Sequence, residues 1–169
     1  MQLGKGVKGQ TMGGRVNEAI RKGRRIRQIL ARVKPLAVEF YRLTGKPLGV
    51  TGEVAEYVAA ETLRLKLVPA RTCGFDALRG KERIQIKGRA FDKSNKRSQR
   101  VSRIKQNASC DTVMLVLLDN TTLDAWEIWE VPMRLVRKEL GRPGSKARNM
   151  RGALPVSWFK REGHRVWSV

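Results

Sequence analysis

The chain has 169 residues, 41% of them hydrophobic and 30% charged, which is enough apolar material for one compact domain and excludes full disorder. Thirty-six basic residues against fifteen acidic give a net charge of +21, which favours a polyanionic partner, nucleic acid above all. The longest apolar run, residues 113–118, is far short of the about 20 residues a membrane span needs, and no apolar signal segment opens the chain, so no membrane association and a cytoplasmic location are expected. Cys73 and Cys110 form no Cys-x-x-Cys pair, which argues against a disulfide framework or zinc knuckle and for a reducing compartment.

Charge varies along the chain: residues 1–50 carry +10, 88–110 carry +6 and 132–169 carry +8, whereas 111–131 carry −5. Residues 1–14, with five glycines, read as a flexible basic tail. Residues 15–45 read as a basic helical extension. Val16, Ile20, Ile26, Ile29, Leu30, Val33, Leu36, Phe40 and Leu43 recur at helical spacing, opposite Arg21, Arg24, Arg25, Arg32 and Lys34. Pro35 is expected to kink this helix or start a new one, and Gly45 and Pro47 to end it. Residues 46–169 read as a single α/β domain. Thr51 is the expected N-cap of a second helix over 52–65, with Glu53 in its first turn and Val54, Val58 and Leu65 on its buried face.

The period then changes to two. Residues 75–78 and 83–87 alternate about Gly80-Lys81, a glycine-first pair that suits a type II′ hairpin turn. Residues 88–111 read as an irregular basic loop and 112–118 as a fully buried strand. Residues 123–130 read as an amphipathic strand with Trp126 and Trp129 on opposite faces. The acidic group Asp119, Asp124, Glu127 and Glu130 reads as a solvated sheet edge. Residues 132–140 form a helix ended by Gly141, 142–151 a basic loop, and the remainder a short helix and a last strand. The two cysteines are expected in the core. The only histidine, His164, is expected at the surface, which argues against Ser-His-Asp triads and histidine metal sites.

With Gly80 and Lys81 as the loop, Leu78 faces Arg83 and Asp76 faces Gln85. Alternation puts Ile84 and Ile86 on one face with Phe75 and Ala77, and Asp76, Gln85 and Lys87 on the other. Asp76 offers the hard oxygen that magnesium prefers, Gln85 a carbonyl oxygen, and Lys87 a point charge for a phosphate or a water. Glu53 or Glu56 of the preceding helix is in a position to reach the same metal. The competing reading of this trio is an ordinary solvent face with a weak surface ion pair.

The order helix, Gly-Phe-Asp76, Ile-Gln85-Ile-Lys87 resembles the PD-(D/E)XK nuclease superfamily, and most closely its Mrr-like branch, in which glutamine replaces the acidic residue before x-Lys. Residues 43–65, 69–78, 84–89, 115–119 and 143–160 are similar to a bacterial domain family of unknown function placed in that superfamily. The resemblance implies a restriction endonuclease-like α/β core: a helix, a mixed sheet and a second flanking helix. It implies magnesium, or manganese, held by Asp76 with help from Gln85, the Ile86 carbonyl and Glu53, and Lys87 acting on water or phosphate. In that reading the catalytic set is Asp76, Gln85, Lys87 and Glu53, and phenylalanine stands where the family name has proline.

The expected function is therefore a magnesium-dependent endonuclease that hydrolyses DNA phosphodiester bonds. Gln85 removes one negative charge, and this favours the alternative of a nucleic-acid-binding protein that retains the fold without catalysis; an RNA-associated protein held by its basic tail is a third reading. Arg89, Lys93, Lys96, Arg97, Arg100, Arg103 and Lys105 follow Lys87 and are expected to contact phosphates, as are Lys146, Arg148 and Arg151 in a second basic loop around Gly144-Ser145. Double-strand cutting by a one-site domain favours a homodimer.

Overall fold

The computed structural model describes residues 12–69, 74–91 and 99–169. Two helices, α1 (Met12–Thr44) and α2 (Thr51–Leu63), precede the strands β1 (Lys66–Leu67), β2 (Ala77–Arg79), β3 (Glu82–Phe91), β4 (Thr112–Asp119) and β5 (Ala125–Pro132). The chain ends with α3 (Met133–Gly141), α4 (Lys146–Asn149), α5 (Val156–Glu162) and β6 (His164–Ser168). The six strands form one mixed sheet in chain order, antiparallel throughout except for the parallel pair β3–β4. No described helix is long and apolar enough to cross a membrane.

β4 is the spine of the core, with seven consecutive buried residues. Because side chains alternate along a strand, Met114, Val116 and Leu118 pack against Val54, Ala55 and Ala59 of α2, together with Ala77, Ile84 and Ile86. Val113, Leu115 and Leu117 face the other layer, where Val136 and Leu140 of α3 meet Trp158 and Phe159 of α5. α1 joins this body through Ala37 and Val38 against Leu123 and through ion pairs from Arg27 to Glu61 and from Lys34 to Asp124, each at 2.8 Å.

Several sequence expectations are corrected. Residues 1–11 lie outside the described residues, and Met12–Gly14, read as tail, begin α1. α1 continues through Pro35 without a new helix starting there. Proline removes one backbone donor, and the helix persists with anchors on both sides, Leu30 before it and Ala37 and Val38 after it. Val50 rather than Thr51 is the N-cap of α2, and the Val54 N–H donates to its carbonyl at 3.0 Å. Residues 88–91, read as loop, extend β3, since pairing with buried β4 runs as far as Phe91. The rest of that loop is no mere charged segment, because Val101, Ile104, Ala108 and Cys110 insert into the core. Cys73 lies outside the described residues.

Trp126 and Trp129 share a face. The register with β4 shifts between Leu117 and Leu118, so Trp126 is an extra residue that resets the alternation. Both rings pack on the α3–α5 layer, under the Lys160 ammonium, which lies 4.7 and 5.7 Å from their centroids. The acidic group is not an edge, because β5 is flanked by β4 and β6. Glu127 is buried and paired with Lys160 at 2.6 Å, Glu130 with Arg79 and Asp124 with Lys34.

Gly88 fixes how closely α2 sits on the sheet. A Cβ there would lie 2.6 Å from both the Ala55 Cβ and the Thr51 carbonyl oxygen. Gly88→Ala is therefore expected to push α2 off β3 and lower unfolding stability by about 1–3 kcal/mol, read from urea denaturation.

Candidate active site

The hairpin register is the one the sequence predicts: Ala77 pairs with Ile84, Leu78 with Arg83 and Arg79 with Glu82. One residue beyond β2, the Asp76 N–H donates at 2.8 Å to the carbonyl of Ile84, which is already the partner of Ala77, so the regular ladder ends there and the expected Asp76–Gln85 pair is not part of it. The ladder then changes character. The next donor on β3, the Ile86 N–H, goes to the Asp76 carboxylate Oδ2 at 2.7 Å instead of to a backbone carbonyl. The N–H and C=O of one residue in a strand point to the same side, so the Ile86 carbonyl faces the same edge as Asp76.

Gly74 sets the approach of this segment. Its φ is +89°, and a Cβ there would lie 2.6 Å from Ser109 Oγ and 2.7 Å from Ser109 N. This turn corrects one expectation: Phe75 packs on the α3–α5 layer and not with Ile84 and Ile86, because strand alternation ends at Ala77.

Gln85 is buried, with 8% of its surface exposed, and its Oε1 accepts no hydrogen bond among the described residues. An oxygen in that state costs free energy unless a ligand, water or ion meets it. Lys87 follows on the same face, half-buried. Burial pushes its ammonium below the ordinary lysine value, while Asp76, Cys110 and Glu56 pull it back up and Lys105 opposes them. The carboxyl of Glu56 on α2 is raised, first by burial and then by repulsion from Asp76 and Glu53, with Lys87 acting against the rise. Glu56 is thus the α2 carboxylate in electrostatic contact with both Asp76 and Lys87. Glu53, the residue matched by the resemblance, is exposed and acts on Glu56. Helical spacing left both open, and the depth of each residue on α2 distinguishes them.

The structure therefore brings Asp76, Lys87 and Glu56 within electrostatic reach of one another, while Gln85 shares the face of Lys87, the side of β3 turned away from α2. Among the described residues no three His, Cys, Asp or Glu side chains gather as a metal-binding group. A cation here would draw on two carboxylates, an amide oxygen and a backbone carbonyl.

The expected phosphate contacts divide. Arg103, Lys105, Lys146 and Arg151 are exposed. Lys93, Lys96 and Arg97 lie outside the described residues. Arg89 and Arg100 are half-buried and line a cleft beside Gly88. Arg148 is not available for phosphate, because its guanidinium donates to the Arg142 and Pro143 carbonyls and pairs with Glu139 at 3.0 Å. Nor is the Gly144-Ser145 loop an open cradle: Ser145 Oγ accepts from the Arg148 N–H, and the Ser145 N–H donates to Asn149 Oδ1. His164 is exposed and Cys110 buried, as expected.

Compared with known proteins, the chain matches no family model and no curated sequence.

Two predictions follow the site's electrostatics. Because the Glu56 pKa is raised, the folded chain binds its proton more tightly than the unfolded chain. The contribution of Glu56 to stability is therefore full below the ordinary value of 4.5 and is lost as pH rises through the raised value. In EDTA, Glu56→Gln is expected to be more stable than the wild type near neutral pH, with the difference closing below pH 4.5, measured by urea denaturation across pH. Gln85→Met, which removes the unpartnered oxygen at similar volume, is expected to raise stability in EDTA by about 1 kcal/mol.

Proposed function

We propose that the protein is a metal-dependent nuclease of the restriction endonuclease-like type that hydrolyses phosphodiester bonds in DNA, with magnesium or manganese as cofactor. The observation that carries this reading is the buried, unpartnered Gln85 Oε1, two residues before Lys87 on the same face of β3. A structural glutamine in a packed core finds a donor, whereas a buried neutral oxygen held without one suits a hard cation. The residues present fit such an ion: Asp76, Gln85, the Ile86 carbonyl and Glu56 would hold it. The chemistry it supplies when bound is stabilisation of charge on the phosphate and a more acidic water.

The chain's own residues do the rest. The Ile86 N–H fixes one Asp76 oxygen and so the orientation of the carboxylate. The Lys87 ammonium, on the same strand face as Gln85, neutralises developing charge on the scissile phosphate and orients the attacking water. Glu56, whose carboxyl is raised in the metal-free chain by burial and by Asp76, would be ionised by a bound cation and so serve as its second carboxylate. The net charge of +21 draws in the polyanion, and the exposed Arg103, Lys105, Lys146 and Arg151 supply phosphate contacts. With one site per chain, cutting both strands is the task of two copies.

The test is incubation of the purified chain with supercoiled plasmid and with a forked DNA, in magnesium, manganese or EDTA. Cleavage is expected with either metal and not with EDTA. Asp76→Ala is expected to abolish it, and Lys87→Ala to slow it by about a hundredfold or more. Retarded DNA that stays intact under all conditions would instead support the non-catalytic binding protein. A parallel melting series reads the metal directly: magnesium raises the melting temperature of the wild type and leaves that of Gln85→Met unchanged.

A further inference from the structure

A cleft of about 560 Å³ opens along β3 immediately beyond the candidate site. Its floor is Gly88, Arg89 and Ala90. One wall is the C-terminal half of α1 with the loop that follows, including Tyr41, Leu48 and Val50; the other is residues 99–102. The volume lies within the roughly 300–1,000 Å³ of small-ligand pockets. Gly45 and Gly49, at φ +66° and +87°, give the loop the backbone turns that form this wall.

The lining joins two chemistries. Tyr41 and Leu48 are each nearly half exposed, an aromatic and an aliphatic surface left without cover. Arg89 and Arg100 are half-buried, and among the described residues neither pairs with a carboxylate. Arg100 gives one donor to the Ala153 carbonyl at 3.1 Å, and Arg89 reaches Gln99 at 3.4 Å, so most of their donors remain for a ligand. A pocket that is apolar and aromatic on one side and cationic on the other matches a planar body carrying an anion.

Position narrows the ligand. Arg89 lies two residues beyond Lys87, roughly 6–7 Å along an extended strand, which is about one nucleotide step. We propose that this cleft holds one unpaired nucleotide of the substrate strand, its base against Tyr41 and Leu48 and its phosphate between Arg89 and Arg100. The preferred substrate is then DNA with a single-stranded arm or an extruded nucleotide beside the cut bond, not a continuous duplex, whose stacked bases do not reach such a pocket. The position of the cut bond rests on the nuclease reading; the occupancy of the cleft does not.

The test is fluorescence anisotropy of the full chain in EDTA, at one salt concentration, with a labelled blunt duplex and the same duplex carrying a short single-stranded arm. The arm is expected to tighten binding about tenfold, the scale of one stacked base. Tyr41→Ala and Arg89→Gln are each expected to erase most of that gain and to leave the blunt-duplex affinity within about twofold, with unchanged melting temperatures as the folding control. The proposal is overturned if the arm gives no gain, or if the gain survives in both variants. Arm preference that depends on Tyr41 and Arg89, found without any metal-dependent cleavage, supports the cleft and sinks the nuclease reading. Cleavage lost in Asp76→Ala without arm preference does the reverse.

Discussion

Everything at the candidate site depends on where β2 stops. β3 has ten residues and β2 only three, so more than half of β3 has no strand beside it on that side among the described residues. A bare sheet edge is a liability, because its N–H and C=O groups seek partners. Here the first group past the end of the ladder, the Ile86 N–H, is taken by the Asp76 carboxylate. One contact thereby satisfies the first free donor of the edge and fixes the orientation of a charged oxygen. Gly74, pressed against Ser109, makes the arrangement possible by turning the chain before Asp76 can continue the strand.

The opposite side of β3 shows why that edge stays where it is. Parallel pairing with β4 runs for eight residues, and β4 is buried on both faces. α2 is locked over the same strand by the absence of a side chain at Gly88. Strand and helix therefore form one rigid unit, with Lys87 and Glu56 carried on its two parts. Residues positioned on packed elements hold their geometry more tightly than residues on loops. That is the physical reason a site at this edge is better defined than any in the basic loop 142–151, whose Arg148 and Ser145 are occupied in holding the loop itself together.

Much of this was legible in the sequence because it is governed by local rules. Period-two alternation about Gly80-Lys81 fixes the register of residues 77–79 against 82–84, but the expected pair of Asp76 with Gln85 does not follow, because the Asp76 N–H bonds to Ile84. The six-residue apolar run gives β4, and the spacing from Val16 to Leu43 gives α1. What was not legible depends on contacts between distant segments. The β-bulge at Trp126 reverses the facing of the two tryptophans, and nothing in residues 123–130 announces it. That Glu56 and not Glu53 is half-buried turns on how α2 packs on the sheet. Charged residues read as free, Glu127, Glu130 and Arg148, are paired with partners far away in sequence or held by backbone carbonyls.

The same electrostatics bear on why glutamine stands at position 85. Asp76 and Glu56 already repel each other enough to help raise the Glu56 carboxyl, and Lys87, itself partly desolvated, offsets them only in part. Position 85 is more buried than either carboxylate, at 8% exposure. A carboxylate there would suffer the desolvation of a buried position, with Lys87 the one charge on its strand face to balance it. The amide supplies an oxygen for a cation without burying a charge, and its cost is limited to one unsatisfied acceptor when the cation is absent. The exchange weakens the hold on a divalent ion and keeps the metal-free fold intact. On the proposed metal-dependent reading, Gln85 would make ion binding at this edge weaker and more dependent on ion concentration than an all-carboxylate site would be.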